Sequence, residues 1–147
     1  PDGIPPWDRD HVRATFRNLA RQAGYKLSTC LHLAASLPVR TRLVLLGDDA
    51  ESDALAYTAL AGWLDGSWSE GEILARILPR AGDMWRRPLE AALSAHRGRR
   101  GPSVAFIGIR RTGRARHGED LDNLPAVATV HDTTAELETA MKRHQVW

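Results

Sequence analysis

Apolar positions along the chain change their period several times, and each change marks an element. Over residues 8–23, Val12, Phe16, Leu19 and Ala20 recur at helical spacing, which predicts an amphipathic helix ended by Gly24. Residues 26–36 repeat the pattern with Leu27, Cys30, Leu31 and Ala34 inward, and Pro38 closes this second helix. The helical period then vanishes. Arg42-Leu43-Val44-Leu45-Leu46-Gly47 is an almost unbroken apolar run, the pattern of a strand buried on both faces of a parallel sheet. Residues 51–64 return to helix, with Leu55, Ala59, Leu60 and Trp63 clustered, and Asp65-Gly66 breaks it. Residues 69–78 predict a helix opened by a capping box of Ser69 and Glu72. Residues 83–97 predict a further helix, and 97–102 a basic, glycine-containing loop. A second apolar strand follows at 103–109, a polar irregular loop at 110–123, and a short third strand at 126–130. The closing helix, 133–143, opens on a second capping box, Thr133 with Glu136.

Strands that alternate with helices argue for an α/β fold: a parallel sheet with helices on both faces and a helical insertion between the first two strands. Three strands are few for a free-standing sheet of this kind. The expectation is a single α/β domain over 1–147 that is the carboxyl-terminal part of a larger one. The remaining strands would lie upstream or come from another chain. No internal repeat or low-complexity tract interrupts the pattern.

The strand at 42–47 runs straight into Asp48-Asp49-Ala50-Glu51-Ser52-Asp53, a cluster of four carboxylates. Gly47 lets the backbone turn tightly where the strand stops. Asp48 then lies at the carboxyl end of a parallel strand, the edge where open α/β sheets bind ligands. Asp53 returns from the first turn of the next helix. Two such carboxylates can share one hard cation, and Mg²⁺ typically takes one or two carboxylates plus water and phosphate oxygen. The plainer account is that Asp49, Glu51 and Asp53 favour the positive end of a helix. The string alone leaves both open.

Composition narrows the classes. The 147 residues are 43% hydrophobic and 26% charged, an ordinary globular balance with enough chain for a real core. No apolar run approaches the roughly 18 residues of a membrane span. Residues 1–7 show no basic-then-apolar signal pattern and no initiator Met, which reads as a fragment or a trimmed product. Cys30 is the single cysteine and reads as a small buried hydrophobe; its solitude excludes an internal disulfide and suits the cytoplasm. The formal charge is +2 and the pI about 9.2, nearly all from arginine. Lys26 and Lys142 are the only lysines, so a well-placed lysine draws notice.

Lys26 completes a pattern. Tyr25-Lys26-Leu27, an apolar helix, Leu37-Pro38, an apolar strand, Gly47-Asp48-Asp49-Ala50-Glu51-Ser52-Asp53 and then Tyr57 resemble the second half of a haloacid dehalogenase-type phosphatase domain. Within that superfamily the chain is most similar to the actin-patch-associated phosphatidate phosphatase family and its bacterial relatives. The resemblance covers residues 25–57 well and 104–147 loosely, with Ile107-Gly108-Ile109-Arg110 matching a later strand. It implies a Rossmann-like sheet and Mg²⁺-dependent hydrolysis of a phosphomonoester, on a phosphorylated small molecule or a phospholipid such as phosphatidate. By this resemblance Lys26 stabilises the phosphoryl group, Asp48 and Asp53 are the metal-site acids, and Asp49 is a further ligand or supports one. The chemistry needs Lys26 within roughly 10 Å of Asp48. Arg110, at a strand's carboxyl end, would contact substrate at the same edge.

The family's nucleophile motif, Asp-x-Asp-x-Thr/Val after a buried strand, belongs well upstream of the lysine. Asp8-Arg9-Asp10 has the spacing, yet Ile4-Pro5-Pro6-Trp7 cannot be a ladder strand, because proline lacks the donor. The interval to Lys26 is also too short for another strand and a phosphate-binding Ser/Thr. This chain alone is therefore expected to be inactive. The alternative is a non-catalytic α/β module that binds anionic partners through Arg97, Arg99, Arg100, Arg110, Arg111, Arg114 and Arg116 in the 97–116 region. That region lacks interleaved aromatics and any nucleic-acid module, so no specific nucleic-acid partner is expected. Trp63, Trp68 and Trp85 read as packing of the helical insertion rather than an apolar docking patch. His131-Asp132 reads as a solvent-facing loop, and no histidine spacing suggests zinc.

Overall fold

The computed structural model describes residues 22–50, 52–98, 101–113, 121 and 123–146. The helix expected over 8–23, the pair Asp8 and Asp10, and Arg99, Arg100, Arg114 and Arg116 lie wholly or mostly outside that set.

The described elements run α1 (Gln22–Ser36), β1 (Arg42–Asp48), α2 (Asp53–Asp65), α3 (Glu70–Ala81), a 3₁₀ turn (Asp83–Trp85), α4 (Arg86–His96), β2 (Ser103–Arg110), β3 (Ala128–His131) and α5 (Thr134–Arg143). The strands form a parallel sheet in the order β1-β2-β3. The fold is thus α/β with flanking helices, and the β1-to-β2 crossover carries α2, α3 and α4.

Helix α2 is the pivot. It is buried almost all round through Asp53, Ala54, Leu55, Ala56, Thr58, Ala59, Leu60, Ala61 and Gly62, as a helix enclosed on every side must be. One side packs with α1, α3 and α4 around Leu27, Leu31, Ile73, Ile77, Leu89 and Leu93. The other packs Ala54 and Ala61 on Ile107 and Ile109 of β2. On the far face of the sheet, Phe106 meets Ala140 and Met141 of α5. Between Leu43 and Val44 the β1–β2 register skips a residue, so Val104 and Phe106 pair with consecutive residues of β1. Ala105 is the bulge, and it lets Val104 share a face with Ile107 and Ile109.

Three expectations are corrected. Gly24 does not end a helix; it is buried inside α1, where a β-carbon would lie 2.4 Å from Trp85 Cγ. Trp85 occupies the space a side chain would need. The 83–97 helix is divided, with a 3₁₀ turn preceding α4. β1 is not buried on both faces: Val44 is 38% and Leu46 51% exposed. β1 lies at one side of the sheet, and α5 covers β2 and β3 instead. Smaller shifts follow from tertiary context. α3 runs past the expected stop at Leu78 and includes Pro79, and β3 begins at Ala128 instead of Ala126. Both capping boxes form as expected.

Trp63, Trp68 and Trp85 pack against the helical core, partly exposed. Trp68 fills the notch at Gly62 and carries the Arg76 guanidinium 4.4 Å above its ring. Among the described residues no helix is long and apolar enough to cross a membrane.

Candidate functional site

Parallel strands put their carboxyl ends on one edge. Asp48, Arg110 and His131 are the last residues of β1, β2 and β3, and they stand in register: Asp48 beside Arg110, Arg110 beside His131. This is the edge at which open α/β sheets take ligands.

Asp48 leaves β1 through an Asx turn, its Oδ1 accepting from the Ala50 N–H at 3.0 Å. The chain returns at Asp53, the first residue of α2. Its Oδ1 accepts from Lys26 Nζ at 2.5 Å and its Oδ2 from the Asp48 N–H at 3.2 Å. Lys26 and Asp48 are therefore joined through one carboxylate. The ion pair is shielded, with side-chain exposures of 22% for Lys26 and 10% for Asp53. Gly47 serves this arrangement by its lack of bulk. Its φ is not positive, and a β-carbon there would sit 2.6 Å from Asp53 Oδ2. The turn expected of Gly47 is instead a close approach.

One helical turn beyond Asp53, the Tyr57 hydroxyl donates to the Leu46 carbonyl at 3.2 Å, tying α2 to β1. Burial, and then the Asp53 charge, push the Tyr57 phenol up to about 12. One turn beyond Lys26, the Cys30 thiol is also raised, first by burial and then by Asp53, with Lys26 opposing. Cys30 is half-buried, not fully enclosed.

Asp49 turns the other way. Its N–H donates to the Arg110 carbonyl at 3.0 Å. Its Oδ1 accepts from the Thr112 N–H at 2.8 Å and the Thr112 hydroxyl at 2.5 Å. Buried to 7% exposure, it braces the exits of β1 and β2 against each other. Thr112 had no sequence signal. The His131 side chain was expected in solvent, but it is buried at 7% exposure because α5 starts immediately beyond it.

Among the described residues no three His, Cys, Asp or Glu side chains gather as a metal-holding group. Asp48 and Asp53 supply the one or two carboxylates that Mg²⁺ takes at a phosphoryl site, where water and phosphate complete the shell. Both carboxylates already accept hydrogen bonds, Asp53 from Lys26 and the Asp48 N–H, Asp48 from the Ala50 N–H. The arginine-rich segment is partly neutralised, since Arg97 pairs with Glu70 and Arg111 lies 3.5 Å from Asp132.

No protein-family model, curated protein or solved structure matches the chain.

Proposed function

We propose that this chain carries the lysine-and-carboxylate half of a Mg²⁺-dependent phosphomonoester hydrolase site of haloacid dehalogenase type, on a Rossmann-like sheet. The complete protein would act in the cytoplasm on a phosphorylated small molecule or a phospholipid such as phosphatidate. The observation that carries the reading is the chain of contacts from Lys26 through Asp53 to Asp48 at the carboxyl edge of a parallel sheet.

In this reading the Lys26 ammonium holds a non-bridging phosphoryl oxygen, and Asp53 fixes the ammonium's position. Asp48 and Asp53 would hold Mg²⁺, which supplies charge neutralisation when bound. Tyr57 keeps Asp53 and β1 at a fixed separation through the Leu46 carbonyl. Arg110 contacts the substrate from the neighbouring strand. The attacking carboxylate comes from outside these residues, so the chain alone binds without turning over.

The test is a titration of the chain with Mg²⁺ and inorganic phosphate, followed by amide NMR. Saturable shifts centred on Asp48 and Asp53, lost in Asp48→Asn, are expected. An absence of response at millimolar-range Mg²⁺, together with salt-sensitive anion binding at the arginines, would favour the non-catalytic module instead.

A further inference from the structure

Two groups at the carboxyl edge carry chemistry that a general substrate contact leaves open: Arg110 and His131. Arg110 is exposed and enters no ion pair among the described residues. The imidazole of His131 is 7% exposed, and its Nδ1 is sealed from solvent without a hydrogen-bond partner among them. A buried polar atom left unpaired is costly, and native structures keep few of them without a reason. A guanidinium fork that enters no ion pair is likewise an unspent anion receptor.

Their placement gives them a common target. Register partners in a parallel sheet project to the same face. Arg110 alternates with Gly108 and Phe106, and Phe106 lies on the α5 side, so Asp48, Arg110 and His131 form one row on that side. Neighbouring strands are about 4.8 Å apart, which puts Arg110 one spacing and His131 two spacings from Asp48. Lys26 reaches Asp48 from the opposite direction, through α2 and Asp53. Asp48 is therefore flanked by two donor sets: an ammonium on one side, a guanidinium and an imidazole on the other.

We infer that Arg110 and His131 form a second anion subsite. The substrate class it selects is a phosphomonoester whose leaving portion carries another acidic group, roughly 5–10 Å from the scissile phosphorus. Arg110 takes that group through its paired N–H donors, and the His131 imidazole, its register partner on β3, provides a further contact. The inference rests on the reading that Lys26 takes the scissile phosphoryl group. The second acid can be a phosphate or a carboxylate, since both accept the guanidinium fork.

The experiment compares binding of butylphosphonate, butane-1,4-diphosphonate and 4-phosphonobutanoate to the chain, by NMR of the Arg110 Nε and His131 ring signals alongside Lys26 Nζ. The dianionic probes are expected to bind about tenfold tighter than butylphosphonate, the scale of one charge-assisted contact. Arg110→Gln should erase that advantage. A preference for the diphosphonate over the phosphonocarboxylate identifies the second acid as phosphate; the reverse identifies a carboxylate. Equal binding of mono- and dianions by the native chain, or a tenfold advantage that survives Arg110→Gln, overturns the subsite. His131→Gln should weaken dianion binding several-fold. Should that variant fail to fold, an unmoved His131 ring signal in the native chain on dianion binding removes the histidine from the site. If butylphosphonate leaves Lys26 unperturbed while the dianions still depend on Arg110, the phosphatase reading fails and the subsite stands.

Discussion

Asp53 leaves no room for a side chain on Gly47: a β-carbon there would lie 2.5 Å from Asp53 Cβ. The strand and the helix after the acidic turn can approach only because the residue before Asp48 is glycine. Gly47→Ala should therefore lower stability by about 2 kcal/mol, the usual scale of overpacking. It should also displace the carboxylate from Lys26. The urea midpoint reads the first effect, and the Lys26 Nζ signal reads the second.

The Lys26–Asp53 pair is shielded enough for its partners to depend on each other. Lys26→Met and Asp53→Asn should each cost about 1–3 kcal/mol, because each breaks a partly buried, charge-assisted hydrogen bond. The double variant should cost less than the two costs added together. A coupling energy of zero in that cycle would mean the pair holds nothing in place.

Tyr57 should be a late-titrating phenol, with a midpoint near 12 against an ordinary value of 10.0. A raised value means the folded chain holds this proton where the unfolded chain has lost it. The stabilisation from Tyr57 is then complete below pH 10.0 and declines as pH climbs through about 12. Alkaline phenolate absorbance of the native chain minus that of Tyr57→Phe isolates the transition. A difference curve centred near 10 contradicts the burial of this hydroxyl.

Cys30 is the single thiol, so alkylation reports on it alone. Its raised value predicts slower reaction with iodoacetamide at pH 8 than a free cysteine shows. Lys26→Met removes the one charge that favours the thiolate and should slow the reaction further. Faster alkylation in that variant would point to loosening of α1 instead.

Glu136 accepts from the Asp132 and Thr133 N–H groups, which holds its carboxyl below the usual value of 4.5. A lowered carboxyl stabilises the fold above its ordinary value and loses that contribution as pH falls through the folded one. Glu136→Gln should flatten the acid limb of the stability curve. Thr133→Ala, at the other half of the capping box, should cost about 1 kcal/mol at neutral pH.

The helical periods, both capping boxes and the three strands were legible because they are local. Leu27, Leu31 and Ala34 declare one face of α1, and Ser69 announces α3 three residues ahead of Glu72. What escaped depends on partners far along the chain. Gly24 looks like a terminator until Trp85, from another element, is found against it. Leu43–Leu46 reads as doubly buried, because composition does not reveal that α5 covers only the neighbouring strands. The acidic string told where four carboxylates lie, but not that Asp49 would turn to Thr112 while Asp53 turned to Lys26. His131 was misjudged for the same reason. Its burial depends on where α5 begins relative to β3, and a loop-like sequence carries no sign of that.

The crossover between β1 and β2 also sets an order of assembly. Lys26 and Asp53 are 27 residues apart, whereas Asp49 and Thr112 are separated by 63. Closing the longer loop costs more chain entropy, and parallel strands gain nothing until that closure is made. The helical layer, with its lysine–carboxylate pair, is placed to condense first, and β2 and β3 to dock afterwards. The edge row would then be the last feature to form on folding and the first to open under denaturant. Hydrogen exchange at Arg110, Arg111 and Thr112 would report that opening before the α1–α2 layer loosens.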